Sequence, residues 1–452
     1  MALTVLGLQR RTLGHCLGHA LDLGLWEEAQ DIAQPLDDYL DVAGLAEEAR
    51  AWVDRARDVL EDPVGTAPTL STSAGNLWLF LVGTQANRQL RAGDLDAAHT
   101  TYTSIVDVLN THAETEWKHR TTAVTYHQLG MVAQLRGRLE DAERWYQQSL
   151  EIEEQLGNRP GMARGYHQLG MVAELRGRLE DAERWYQQSL EIEEQLGNRP
   201  GMARGYHQLG MVAELRGRLE DAERWYQQSL TILEGLGDRP GMAGSYHQFG
   251  MVAELRGRLE DAERWYQQSL EIEEQLGNRP GMARGYHQLG MVAELRGRLE
   301  DAERWYQQSL TILEGLGDRP GMAGSYHQLG MVAELRGRLE DAERWYQQSL
   351  TILEGLGDRP GMAGSYAQFG LLAEQRGNER QAITWALRCI VLFPDFPHPY
   401  AGSAPSQLAR LTHKLGESVL EHLWTQLTGH ALPEHIRTYV HNHPPENGGD
   451  NR

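Results

Sequence analysis

The chain has 452 residues, with 64 Asp and Glu against 43 Lys and Arg, a net charge of −21 and two cysteines. That acid excess excludes the basic footprint a nucleic-acid binder needs, and an anionic membrane would repel it. Cys16 and Cys389 lie far apart, which gives no disulfide framework and points to a reducing, cytoplasmic compartment.

The chain start, Met-Ala-Leu-Thr-Val-Leu-Gly-Leu, lacks a basic leader and a long apolar core, so no secretory signal is expected. Residues 1–61 read as helical, with two five-residue steps from glycine to alanine at Gly24 to Ala29 and Gly44 to Ala49. These are either degenerate copies of the repeat described below or an unrelated helical cap. Residues 62–75 are small and turn-forming and read as a linker. Residues 76–125 hold the same step at Gly93 to Ala98, followed by Tyr102, and read as one more degenerate copy. The longest apolar run, near Leu77 to Val82, is too short to span a bilayer, so no membrane segment is expected.

From Tyr126 a forty-residue unit recurs almost unchanged, with copies starting at Tyr126, Tyr166, Tyr206, Tyr246, Tyr286 and Tyr326 and a worn copy at Tyr366. A fixed period of this length marks units that cannot bury their apolar faces alone and must stack. Within one copy, Tyr166, Leu169, Gly170 and Ala173 make one face of a helix, helix A, which Asn158 and Pro160 start and Gly177 ends. Leu179, Ala182, Tyr186, Ser189 and Leu190 make the stripe of helix B, which Gly197 closes. Glu180 and Arg184 stand four apart on the solvent side, in the favourable order for an ion pair. Pro394, Pro397 and Pro399 stop the array, which spans residues 126–400. Residues 401–440 read as capping helices with Trp424 and Leu427 buried, and residues 441–452 as a disordered tail.

The spacing Tyr166, Leu169, Gly170, Gly177, Ala182, Tyr186, Leu190 resembles the tetratricopeptide repeat (TPR). The forty-residue length is similar to the units of kinesin light chains and of Pins/LGN spindle adaptors. The proline usual after helix B stands instead at Pro160, Pro200 and their equivalents, so helix B is expected to be longer. The resemblance implies an all-α fold: a right-handed superhelix, or α-solenoid, of antiparallel helix pairs with helical caps. The near absence of lysine, with only Lys118 and Lys414, points to a GC-rich bacterial genome.

The resemblance also implies that helix A lines a concave groove for a partner protein or peptide. The groove positions map onto Arg164, His167, Gln168, Met171 and Glu174, then Arg204, His207, Gln208 and Met211, then His247, Gln248 and Met251, then Arg284, His287 and Gln288, and His327. Gln can bond an extended backbone and Met gives adaptable apolar contact. Copies with the tail Glu-Ile-Glu-Glu-Gln-Leu-Gly-Asn are followed by Arg164, Arg204 or Arg284, and copies with Thr-Ile-Leu-Glu-Gly-Leu-Gly-Asp by Gly244, Gly324 or Gly364. The arginines either meet an acidic segment of the partner or pair with a local carboxylate such as Glu153.

One histidine per repeat puts neighbours too far apart to share a zinc ion, so no metal or cofactor is expected. All six histidines are expected to titrate near neutrality and to give partner binding a mild pH response. No P-loop, His-Glu-x-x-His, Cys-x-x-Cys or Gly-x-Ser-x-Gly occurs, and no enzyme is expected. The leading function is a protein-interaction scaffold. The alternative is a regulatory sensor arm acting in trans on a bacterial signalling ATPase or transcription regulator.

Overall fold

The computed structural model describes residues 2–444 apart from residue 64, with side chains from Gln9 onward. Most of the tail expected from 441 lies outside the described residues, but His441 and Asn442 still belong to the last helix. Among the described residues there are helices and no strand. In order they are α1 (Ala2–Asp22), α2 (Trp26–Val42), α3 (Ala46–Leu60), α4 (Ser73–Arg91), α5 (Leu95–Asn110), α6 (Glu116–Leu135), α7 (Leu139–Gln155), α8 (Arg159–Leu175), α9 (Leu179–Leu196), α10 (Arg199–Leu215) and α11 (Leu219–Leu236). There follow α12 (Arg239–Leu255), α13 (Leu259–Leu276), α14 (Arg279–Leu295), α15 (Leu299–Leu316), α16 (Arg319–Leu335), α17 (Leu339–Leu356), α18 (Arg359–Gln375), α19 (Glu379–Ile390), α20 (Ala404–Leu415), α21 (Glu417–Thr428) and α22 (Glu434–Asn442). The chain forms two compact units, residues 1–232 and 233–452, divided within α11. In each unit successive helices pack on one another, the arrangement of an all-α solenoid.

The pair α8–α9 shows how the sequence dictates the hairpin. Asn158 caps α8 by accepting the N–H of Gly161. Pro160 sits in the first turn, where its missing N–H costs nothing. Gly177 ends the helix at φ +70, and the Arg178 N–H returns to the Ala173 carbonyl at 2.8 Å. Helix α9 then runs to Leu196 and stops at Gly197, φ +66, three residues before Pro200. The displaced proline thus comes with a long helix B, as the sequence predicts.

Between the two helices the Tyr186 ring lies directly against Gly170. A Cβ on Gly170 would sit 2.6 Å from Tyr186 Cε1, so only glycine allows this approach. The ring is fully buried, a gain of roughly 2 kcal/mol or more. Its hydroxyl donates to Glu174 at 2.9 Å, and the Ser189 hydroxyl donates to the Ala163 carbonyl at 2.8 Å. Each such bond contributes about 1 kcal/mol net. Ala173, Ala182, Tyr186 and Leu190 join Leu209 and Val212 of the next helix A in one core cluster. Tyr166 stacks on Trp185 with ring centroids 5.7 Å apart, and its hydroxyl donates to Glu154 of the preceding helix B at 2.8 Å.

The ion pairs follow a different pattern from the one expected. Arg184 pairs with Asp181, at 2.6 Å, and not with Glu180. Glu180 instead receives Arg216 of the next repeat at 2.9 Å. Arg216 also meets Glu183, as does Arg218 at 2.7 Å. The carboxylates at the start of helix B therefore tie one repeat to the next, which an i,i+4 count along a single helix does not capture.

In the first unit Gly24, Gly44 and Gly93 take the same left-handed turn, and Ala29, Ala49 and Ala98 are buried. Tyr102 is buried like Tyr186. The stretch read as a linker is shorter than expected. Helix α4 already starts at Ser73, capped by Thr72, and Gly75 packs against the backbone of Thr69 and Leu70. In the second unit α20, α21 and α22 cover the last hairpin, with Leu408, Leu420, Trp424 and Ile436 buried and Leu427 packed against them.

Gly170→Ala should lower the urea midpoint by an equivalent of about 1–3 kcal/mol, because the added methyl collides with an immobile ring. Gly324→Ala meets nothing within 4 Å and should be neutral or stabilising. Equal effects of the two variants would contradict this account of the helix A–helix B contact.

Candidate functional site

The residues named as groove positions stand on helix A of each repeat, on the side away from Leu169, Val172 and Ala173, which are buried. Arg164, Arg204 and Arg284 are exposed. His167, Gln168, Met171, His207, Gln208, Met211, His247, Gln248, His287, Gln288 and His327 are half-buried. The arginines do not pair with Glu153 or its equivalents. Glu153 is buried and accepts from Asn158 Nδ2 at 2.6 Å, beneath Gly161. No carboxylate among the described residues lies within ion-pair distance of Arg164, Arg204 or Arg284.

Each histidine packs on the tyrosine of its own repeat. His167 lies 5.5 Å from the Tyr186 ring, and His207, His247, His287 and His327 repeat the contact on Tyr226, Tyr266, Tyr306 and Tyr346. Burial pushes His167 down to about 4, helped by the Arg204 guanidinium of the next repeat. His127 and His247 are pushed down to about 4 in the same way, with Arg164 and Arg284 as the neighbouring cations. Burial lowers His207, His287 and His327 as well. The expectation of six histidines titrating near neutrality is therefore corrected: the row is neutral at pH 7, because the ring that seats each imidazole also strips its water.

In the second unit the groove residues gather around two open clefts. One, of about 540 Å³, brings together Arg284, His287, Gln288, Leu313, Leu316 and Gly324. The other, of about 600 Å³, brings together His287, His327, Gln328, Met331, Leu353 and Gly364. The leucines come from the C-terminal ends of α15 and α17. The sequence reading does not name them among the groove positions; their signal lies in the Thr-Ile-Leu-Glu-Gly-Leu tails.

Among the described residues no three His, Cys, Asp or Glu side chains gather to hold a metal ion, and no helix is long and apolar enough to cross a membrane.

The histidine row sets a pH dependence of stability. An unfolded histidine titrates near 6.5, burial lowers all six folded ones, and His127, His167 and His247 go down to about 4, so the unfolded chain binds more protons below 6.5. Stability is then full above about pH 6.5 and is lost as pH falls toward 4. Glu214 and Glu294, raised by burial, work weakly in the opposite direction. The urea midpoint should drop between about pH 7 and pH 5, and the triple variant His127→Gln, His167→Gln, His247→Gln should show a smaller drop. An unchanged slope in that variant would contradict the assignment.

Comparison with known proteins agrees with the fold. No curated protein matches the sequence. Among solved structures, the signal transduction ATPase with numerous domains (STAND) protein with a tetratricopeptide repeat sensor from Pyrococcus horikoshii is similar over 80% of this chain, at 15% identity and a TM-score of 0.55. This chain spans about half, 52%, of that protein. Aspartyl phosphate phosphatase F from Bacillus subtilis is similar over 75% of this chain and 93% of its own, at 11% identity and a TM-score of 0.50. A putative kinesin light chain with nearly identical TPR-like repeats, from Podosopora anserina, matches 43% of this chain and 96% of its own, at 18% identity and a TM-score of 0.39. A tetratricopeptide repeat model matches residues 121–195, 161–235, 241–315 and 321–393, more than half of the sequence. The chain belongs to the tetratricopeptide repeat family.

Proposed function

We propose that the chain is a protein-interaction scaffold whose helix A residues take a peptide or a helix of a partner, with acidic side chains meeting Arg164 and Arg204 in the first unit and Arg284 in the second. The observation that carries this reading is the contrast among the arginines. In a chain of net charge −21, the arginines that join repeats, such as Arg176, Arg178 and Arg216, each sit on a carboxylate. The three on the helix A row do not, and they stand exposed above neutral histidines. A guanidinium left free beside apolar surface is suited to a carboxylate brought by another molecule. The acid excess disfavours nucleic acid as that molecule.

A second reading, a regulatory sensor arm acting in trans on a signalling ATPase or transcription regulator, draws on the Pyrococcus horikoshii protein, which carries its TPR sensor together with an ATPase. Compaction of the chain on ligand binding, measured by small-angle scattering, favours the sensor; an unchanged scattering profile favours the passive scaffold.

The triple variant Arg164→Ala, Arg204→Ala, Arg284→Ala should weaken the best binder from an array of acidic peptides by about tenfold or more, roughly 1.4 kcal/mol. Thermal stability should stay unchanged, since these side chains join no network. An affinity within about twofold of the parent, read by fluorescence anisotropy, would contradict the reading.

A further inference from the structure

The helix A row holds two kinds of position, and the glycine kind is open space. Gly324 and Gly364 lie inside helices α16 and α18, away from any turn, and a Cβ at either would meet nothing within 4 Å. Neither backbone conformation nor packing demands glycine there. The two clefts beside them, of about 540 and 600 Å³, fall within the range of roughly 300–1,000 Å³ typical of ligand sites. Their walls are largely apolar: Ala283, Leu313 and Leu316 around one, Ala323, Met331 and Leu353 around the other.

The charged groups at the walls are mostly committed. Asp318 and Asp358 cap α16 and α18 by accepting the N–H of Gly321 and Gly361, each at 3.0 Å. Burial keeps His287 and His327 neutral at neutral pH. Arg284, exposed at the edge of the first cleft, is the cation left without a carboxylate there.

We propose that the clefts beside Gly324 and Gly364 are sockets for large apolar side chains of one partner segment, and that Arg284 takes a carboxylate of the same segment. This rests on the scaffold reading and adds the chemistry of the ligand. The occupant is a stretch of a partner protein in which an Asp or Glu precedes or follows Leu, Phe or Trp. Charge complementarity at Arg284 and the apolar walls select it together. Copies carrying arginine would serve acidic side chains, and copies carrying glycine would serve bulky apolar ones.

The test uses the full chain and an array of synthetic peptides carrying Glu together with Phe, Trp or Leu at varied spacings. The double variant Gly324→Arg, Gly364→Arg places at both sockets the residue that Arg284 already is in an equivalent helix. It should fold as the parent does, judged by circular dichroism, and lose about tenfold or more in affinity for the best peptide. The same peptide with its aromatic or leucine residues replaced by alanine should bind parent and variant alike. Gly324→Leu, Gly364→Leu fills the sockets without adding charge and should give the same loss; it decides the matter if the arginine variant fails to fold. Retained affinity in a folded socket-filled variant overturns the sockets, while a loss on removing the three arginines would leave the scaffold reading standing. Binding of no array peptide overturns both.

Discussion

The contact on which the structure depends is a tyrosine ring laid on a glycine. Tyr186 covers Gly170, and the pairs Tyr146 and Gly130, Tyr226 and Gly210, Tyr266 and Gly250, Tyr306 and Gly290, and Tyr346 and Gly330 repeat it. Glycine lets helix A come close enough for the ring to be fully buried, and the ring then sets the spacing of the hairpin. Its other neighbour is the histidine of the same helix A, 5.5 Å away at His167. Packing and electrostatics are therefore linked: the imidazole that rests on the ring is buried, and burial, with Arg204 beside it, lowers its pKa. The worn last copy has Ala386 where the ring would be, and Gln407 of α20 approaches Gly370 instead. The array ends where its central contact is handed to a different helix.

Charge is distributed on the same principle. Carboxylates at the start of helix B hold the arginines that begin and end the turn of the next repeat, so nearest neighbours are clamped by networks rather than by isolated surface pairs. Helix A carries one carboxylate in each of these copies, such as Glu174, and that one accepts from the Tyr186 hydroxyl. That separation leaves Arg164, Arg204 and Arg284 available, and the alternation with Gly244, Gly324 and Gly364 varies the surface without altering the scaffold beneath it. Because the hairpin core does not involve this position, it can vary at little cost to folding.

Much of the fold was legible in the sequence because it rests on local rules. Asn158, Pro160, Gly177 and Gly197 mark helix ends by capping and backbone conformation alone, and Tyr166, Leu169 and Ala173 mark a face by spacing. What escaped depends on neighbours that the sequence does not place. Glu180 finds Arg216 one repeat on, not Arg184 one turn on. Glu153 turns inward to Asn158 beneath Gly161, which leaves Arg164 unpaired. The histidines look titratable near neutrality by composition, and burial, which only the packed structure reveals, lowers them. Leu313 and Leu353 read as ordinary helix B residues until the glycine opposite opens a cleft above them.

The claim that a partner lies along helix A, and not along the outer face of helix B, is tested most directly by site-specific photo-crosslinking. A benzoylphenylalanine placed at Met331, in the cleft wall, should crosslink the bound peptide. The same group at Gln347, exposed on helix B, should not. Crosslinks at Gln347 with none at Met331 would contradict the account.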